Sequence, residues 1–236
     1  MYNLSAIQDF YLSAPEEAVF LERARILQET RSKFSGERPG VRQGKVIREL
    51  CERVSPVVSP NDVLLGPDGA LYFTDPTLDL VKGEKQEIPY QGVYRLAADG
   101  SLRLLTKDLS QPNGLAFSPD GRKLYIDDSM NGDIHVYDVD SNGNLSHGRL
   151  FAKEEGPPET GVPDGMRVDR QGNLYVTGPR GIWIWSPSGK HLGTIVIPEL
   201  AANLIWGGPA WDTLYITATT SVYQLKTKVR GFVPYE

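Results

Sequence analysis

The chain has 236 residues and a formal charge of −5, from 30 acidic and 25 basic side chains. This negative balance argues against a dedicated nucleic-acid-binding protein, because contacts with phosphate need clustered Lys and Arg. No apolar run approaches the ~18 residues of a membrane-spanning helix, and the single cysteine, Cys51, excludes an internal disulfide and a cysteine-rich zinc site. We therefore expect a soluble globular protein without nucleic-acid or membrane partners.

Residues 1–56 differ in composition from the rest of the chain, since they contain 3 of the 24 glycines and 3 of the 17 prolines. Ser13, Pro15 and Glu16 are spaced like the start of a capped helix. An apolar stripe then continues as far as Leu27. We predict a helical N-terminal extension over 1–56, which packs on the main domain or binds a partner. Its first residues show no secretory signal, which favours a cytoplasmic location.

Residues 57–236 alternate between apolar and polar side chains and are rich in turn residues. The alternation, with many β-branched and aromatic residues, is typical of strands. Four strand-like segments share a Leu-Tyr pair: Ala70–Thr74, Lys123–Asp127, Asn173–Thr177 and Thr213–Thr217. The fold class expected from this region is all-β.

The Leu-Tyr segments belong to a longer repeat. Each copy opens with Asn or Asp, which precedes the repeated tyrosine by 11 or 12 positions, and successive copies start 52, 51 and 39 residues apart. A period of this size, with three to four strands per copy, predicts a β-propeller. The predicted blades are 57–109, 110–160, 161–200 and 201–231, and their opening residues are Asn61, Asn113, Asp164 and Asn203.

The opening residues of the blades all carry a side-chain oxygen. The innermost strand of a propeller blade starts near one mouth of the central channel, so equivalent opening residues converge on the axis. Oxygen ligands without nitrogen or sulfur suit a hard cation such as calcium, magnesium or manganese. The alternative is local, because Asn and Asp before a strand often bond the neighbouring backbone as an Asx turn.

Several motifs resemble, in the same order, those of the gluconolactonase, regucalcin (senescence marker protein) and lactonase-like family. The resemblance covers about 57–231. The motifs are Ser59–Asp62, Tyr72–Asp75, Gln91–Arg95, Pro112–Gly121, Pro163–Met166 and Ala202–Gly208. It implies a six-bladed propeller that hydrolyses sugar lactones, a class of carboxylic esters, with a divalent cation in its channel.

The same resemblance implies roles for three residues. Asn113 and Asp164 would be metal ligands, and Asp164 would also be the general base. Asn61 would bind the substrate or a water at the metal. Calcium is the expected cation, and magnesium, manganese and zinc are the alternatives.

The sequence departs from the family in one respect that matters for activity. The remaining family ligand is a glutamate of the first blade, within a Glu-Gly-Pro-x-Trp segment that is not found before residue 57. Glu154–Pro157 contains part of it but lies in another blade, where we expect a solvated connection. A carboxylate of the predicted helix (Glu16, Glu17 or Glu22) is a possible substitute.

The expected fold is therefore an incomplete six-bladed-type propeller, with about four visible blades and an α-helical N-terminal extension. Open blade faces would favour self-association, and the missing glutamate would impair hydrolysis. The alternative functions are a non-catalytic propeller fragment that binds a ligand or partner, and a strictosidine-synthase-like propeller enzyme.

Overall fold

The computed structural model of the chain describes residues 59–78, 80, 86, 88–97 and 101–232. The predicted helical extension over 1–56 lies outside these residues. The regular structure of the described part consists of fifteen β-strands and one 3₁₀ turn, Pro158–Thr160. The described part of the chain contains no helix that is long and apolar enough to cross a membrane.

The strands form four antiparallel sheets that follow one another along the chain. Each of the first three sheets has four strands, and the last has three. The bounds are Val63–Leu65, Leu71–Asp75, Gly92–Leu96 and Leu102–Thr106 (β1–β4); Pro112–Phe117, Lys123–Asp128, Asp133–Val139 and Leu145–Lys153 (β5–β8); Met166–Val168, Leu174–Gly178, Gly181–Trp185 and His191–Val196 (β9–β12); and Ala201–Gly207, Thr213–Ala218 and Val222–Lys226 (β13–β15).

Within every sheet the strands pair in chain order, each with the next. This up-and-down order is that of a propeller blade. Each sheet falls within one of the four stretches that the repeat predicts. The turn residues of the repeat lie between strands, and each Leu-Tyr pair lies on the second strand of its sheet. The all-β propeller fold is therefore confirmed, and the sheets are called blades 1 to 4 below.

The apolar core lies between neighbouring blades. Successive residues of a strand point to opposite faces, so Leu124 packs towards blade 1 and Tyr125 towards blade 3. The repeated tyrosine is thus an inter-blade residue. In blade 1 it packs edge-on against Phe117 of blade 2, with ring centroids 4.9 Å apart.

The strand directions place the opening residues of all blades on one side of the propeller, which we call the opening face. The first strand of each blade starts there and ends at the other side, where the Pro-Asp-Gly turns lie. The hairpins between second and third strands and the links between blades also lie on the opening face. Any site formed by the opening residues is therefore bordered by these loops.

Candidate functional site

A β-bulge shapes the start of blade 2. The register between β5 and β6 shifts near the start of β5, so that Asn113 and Gly114 both face Asp127. A bulge of this kind bends the strand and changes the direction in which its side chains point. The bulge therefore places Asn113 and Gly114 opposite Asp127 at the start of the blade.

The opening residues of successive blades lie next to one another. A Cβ atom on Gly114 would stand 1.8 Å from the carbonyl oxygen of Asp164, and one on Gly165 would stand 2.5 Å from the side chain of Asn203. Both contacts would be overlaps, so glycine is needed for this close approach. The structure thus brings Asn113, Asp164 and Asn203 to neighbouring positions around the channel.

Asn61 lies at the same level in blade 1. Its amide donates to the Thr74 carbonyl at 2.9 Å, and the Thr74 amide donates to the Asp62 carbonyl at 3.0 Å. The Thr74 hydroxyl then donates to the Asn113 carbonyl at 2.8 Å. This hydrogen bond connects the start of blade 1 to the start of blade 2.

The Asn113 side chain is buried, with 5% of its surface exposed. Its Nδ2 donates to Ser129 Oγ at 3.1 Å, and the Ser129 hydroxyl donates to the Pro163 carbonyl at 2.6 Å. Asn113 Oδ1 has no hydrogen-bond partner among the described residues. A buried amide oxygen without a donor is unfavourable, and a bound cation would remove that cost. The residue predicted as a metal ligand therefore fits the role.

Local bonding accounts for two other oxygens near the blade openings, one on the opening residue Asn203 and one on Asp62, which follows the opening residue Asn61. Asn203 Oδ1 accepts the Leu204 amide at 2.8 Å, and Asp62 Oδ1 accepts the Val63 amide at 2.9 Å. These are the backbone contacts expected from the Asx alternative. The residues at the blade openings therefore do not all bond alike. Asn203 Oδ1 bonds to the local backbone, whereas Asn113 Oδ1 has no hydrogen bond to the described residues and could bind a cation.

Asp127 was not singled out by the sequence, and it is completely buried. Its Oδ1 accepts the Gly114 amide at 3.2 Å, while its Oδ2 has no partner within the described part of the chain. Burial raises the pKa of Asp127 well above its ordinary value, and the negative charges of Asp164, Glu154 and Asp62 raise it further.

Glu154 corrects one expectation. Residues 155–159 are exposed, as predicted for a solvated connection, but Glu154 itself is 4% exposed. Its Oε1 accepts the indole N–H of Trp185 at 3.3 Å, and its Oε2 has no described partner. Burial raises the pKa of Glu154 to about 9, against the lowering effect of the Trp185 hydrogen bond.

The positive charge of Arg167 acts on Asp62, one of the acidic residues near the blade openings. Burial raises the pKa of Asp62, and the charge of Arg167 on β9 opposes that rise. Blades 1 and 3 are not neighbours, so this interaction runs across the central channel. The amides of Val63 and Leu115 also donate to Asp62 and lower its pKa.

The acidic side chains do not form a ready-made carboxylate cage. Across the described residues, no three or more His, Cys, Asp or Glu side chains are placed to hold an ion together. A cation site at the blade openings must therefore combine carboxylates with amide or backbone oxygens. Such mixed oxygen donors are usual for calcium and for other hard cations.

Two cavities lie outside this group of residues. One, of about 270 Å³, is on the opening face and is lined in part by Pro157, Arg180 and Trp183. The larger, of about 710 Å³, lies between turns of blades 1 and 2 on the other face. There Asp68 is already paired with Arg95 at 2.7 Å. The larger cavity is therefore remote from the blade openings.

The fold and the polar blade openings define a β-propeller with a candidate binding site in its central channel. The family model for the SMP-30/gluconolactonase/LRE-like region matches residues 23–220. The chain belongs to this family, and the resemblance inferred from its motifs is confirmed.

Several known proteins are similar to this chain. A gluconolactonase of Zymomonas mobilis is 42% identical over 183 residues, which are 73% of this chain and 51% of the relative. Regucalcin of Danio rerio is 31% identical over 163 residues, with coverage of 67% and 53%. The solved gluconolactonase XC5397 of Xanthomonas campestris superposes with a TM-score of 0.65 at 35% identity, over 72% of this chain and 57% of that one. The chain thus spans about half the length of these curated relatives.

Proposed function

We propose that the protein hydrolyses a sugar lactone with a divalent cation bound at the blade openings. The main support for the proposal is the buried Oδ1 of Asn113, which has no hydrogen-bond partner among the described residues. The next residue, Gly114, lies so close to Asp164 that an added Cβ would stand 1.8 Å from the Asp164 carbonyl oxygen. The substrate class follows from family membership and from the 42% identity to a gluconolactonase.

Asn113 Oδ1 and the carboxylate of Asp164 would hold the cation. Calcium is the first choice, with magnesium, manganese or zinc as alternatives. The cation, when bound, would polarise the lactone carbonyl and stabilise the negative charge that develops on its oxygen.

Asp164 would act as the general base. Its carboxylate takes a proton from the water that attacks the lactone carbonyl carbon. The bond between that carbon and the ring oxygen then breaks, and the proton passes to the ring oxygen, which leaves as a hydroxyl group. Asn61 would orient the substrate by donating from Nδ2 to a sugar oxygen. The product is the open-chain hydroxy acid.

A second candidate function is a propeller that binds a sugar lactone, or a partner, without turning it over. It is favoured by the absence, among the described residues, of a cluster of three or more His, Cys, Asp or Glu side chains that could hold a metal ion. Removal of a carboxylate ligand weakens a calcium site, because affinity depends on the number and charge of the ligands.

The test is hydrolysis of glucono-1,5-lactone by the full chain, followed as acid release in a pH-stat. The proposal expects the rate to fall to that of the uncatalysed reaction with chelator and to rise again with calcium or manganese. Asn113→Ala should slow it at least about tenfold, whereas Asn142→Ala, in an exposed turn, should not. A rate that chelator leaves unchanged contradicts cation dependence. Lactone binding without hydrolysis under every condition supports the second candidate.

A further inference from the structure

Asp127 interrupts a pattern that the other blades share. The residue two positions after the repeated tyrosine is a threonine in the other three copies, at Thr74, Thr177 and Thr217, whereas blade 2 has Asp127. In each blade this residue lies opposite the opening of the first strand. Blade 2 is therefore the copy that has a carboxylate facing its own opening.

Thr74 joins its blade to the next one, whereas Thr217 bonds to its own blade and the Thr177 hydroxyl has no partner among the described residues. The Thr74 hydroxyl donates to the Asn113 carbonyl, which belongs to the opening residue of the next blade. The corresponding acceptor for Asp127 is the carbonyl of Asp164. The Cβ position built on Gly114 lies 1.8 Å from that carbonyl oxygen and 2.7 Å from Asp127 Oδ2. Two oxygens thus face the same small space, and an ionised carboxylate has no proton to donate there.

Two side-chain oxygens at the start of blade 2 lack a hydrogen-bond donor. Asp127 Oδ2 and Asn113 Oδ1 are both buried, and neither has a partner among the described residues. Buried oxygens without donors are costly. The charge of Asp164 also acts on Asp127, so Asn113, Asp127 and Asp164 offer a donor set that consists of oxygens only.

We infer that Asp127 is a cation ligand, and that with Asn113 and Asp164 it forms a site whose second carboxylate comes from strand β6 of blade 2. The inference rests on the proposed function, because that function requires a divalent cation at the blade openings. Two carboxylates balance the charge of such an ion, and the amide adds a neutral donor. This set has two acidic members, which agrees with the lack of a three-carboxylate cluster in the described residues.

The substitution Asp127→Thr distinguishes between two roles of Asp127, that of a cation ligand and that of a hydrogen-bonding residue. Threonine is the residue of the other blades, so it retains a hydroxyl that can donate to the Asp164 carbonyl, but it removes the charge. Manganese binding to the chelator-treated full chain is measured by titration calorimetry. We expect the affinity to fall at least about tenfold. Unchanged affinity would overturn the inference, because hydrogen bonding alone would then account for the role of Asp127 at this position.

Glu154→Gln is the matched control. It alters another buried carboxyl group near Asp127, but this group accepts a hydrogen bond from Trp185 and is not a proposed ligand. With a pKa of about 9, Glu154 is neutral at pH 7, so the affinity of this variant for manganese should change by no more than about threefold. An equal loss in both variants would assign the effect to a general disturbance of the buried carboxyl groups and overturn the inference.

Anomalous diffraction from manganese-soaked crystals of the unsubstituted chain gives a second answer that does not depend on variant folding. The inference expects a peak about 2.0–2.6 Å from an Asp127 carboxylate oxygen. A peak beside Asn113 and Asp164 but beyond about 4 Å from Asp127 overturns the inference and leaves the proposed function standing. Manganese held by Asp127 in a chain that hydrolyses no lactone would support the inference and contradict the proposed function.

Discussion

Thr74 and Asp127 occupy equivalent positions in successive blades, and each lies opposite the opening of its own blade. Thr74 joins blade 1 to blade 2 through a 2.8 Å hydrogen bond from its hydroxyl to the Asn113 carbonyl. A proposed ligand is therefore positioned by a residue of the preceding blade. Asp127 stands at the next such junction, between blades 2 and 3.

Thr74→Val should destabilise the protein by about 1–2 kcal/mol, because it leaves the buried Asn113 carbonyl without its donor. The measurement is urea unfolding of the full chain. Thr217→Val is the matched control at the same repeat position, where the side chain is exposed and its bond to the Asn203 carbonyl is 3.3 Å long. Its effect should remain within about 0.5 kcal/mol. Equal effects would argue against the inter-blade role of Thr74.

Gly114→Ala should disrupt the contact between blades 2 and 3. The added Cβ would stand 1.8 Å from the Asp164 carbonyl oxygen, so the backbone must move, and overpacking of this kind costs about 1–3 kcal/mol. The midpoint of thermal unfolding and the manganese affinity should both fall. In Gly207→Ala the closest atom is a Tyr215 ring carbon at 3.0 Å, and both quantities should change less. Gly114→Ala with normal affinity would contradict the site's location.

The opening residues could be found from the sequence because they belong to a repeat with a fixed distance to a tyrosine. That repeat alone predicts Asn113 and Asp164 at equivalent positions of neighbouring blades. Asp127 also had a visible signal, a carboxylate where the other copies have threonine, but the significance of that exchange depends on its burial. The burial of Glu154 had no signal in the sequence, because it arises from packing against Trp185 of another blade.

Glu154 should make the stability of the protein fall as the pH rises. The pKa of Glu154 is about 9 in the folded chain, against 4.5 for an ordinary glutamate. Between these values the folded state binds one proton more than the unfolded state, so its stability decreases with pH. Urea unfolding between pH 5.5 and 8, with chelator present, should show a slope that Glu154→Gln reduces by up to about 1.4 kcal/mol per pH unit. Identical slopes in both proteins would contradict a neutral, buried Glu154.

The fold was more predictable than the site. Periodic alternation indicates the strands of every blade, since one face of each strand must pack against a neighbouring blade. The three strands of blade 4 also agree with the three to four strands predicted for each copy. The predicted helix near Ser13 falls outside the described residues, so it stays a prediction.

Self-association through the last blade also remains a prediction. Leu204 and Trp206 pack towards blade 3, whereas Ile205 between them is 55% exposed, and Val222 on the same face is 68% exposed. Sedimentation velocity should show a concentration-dependent increase in mass that Ile205→Glu reduces. Leu150→Glu, at an equally exposed site on β8, should leave it unchanged. A monomer at every concentration would contradict self-association.

The most direct test of the proposed function is the rate of glucono-1,5-lactone hydrolysis by Asp164→Asn at saturating manganese. Loss of a general base that also binds the cation should lower the rate by about 100-fold or more. Asp133→Asn, whose carboxylate pairs with Lys153 at the surface, should retain the rate of the unsubstituted chain. Hydrolysis by Asp164→Asn at that same full rate would contradict the catalytic role given to the opening residue of blade 3.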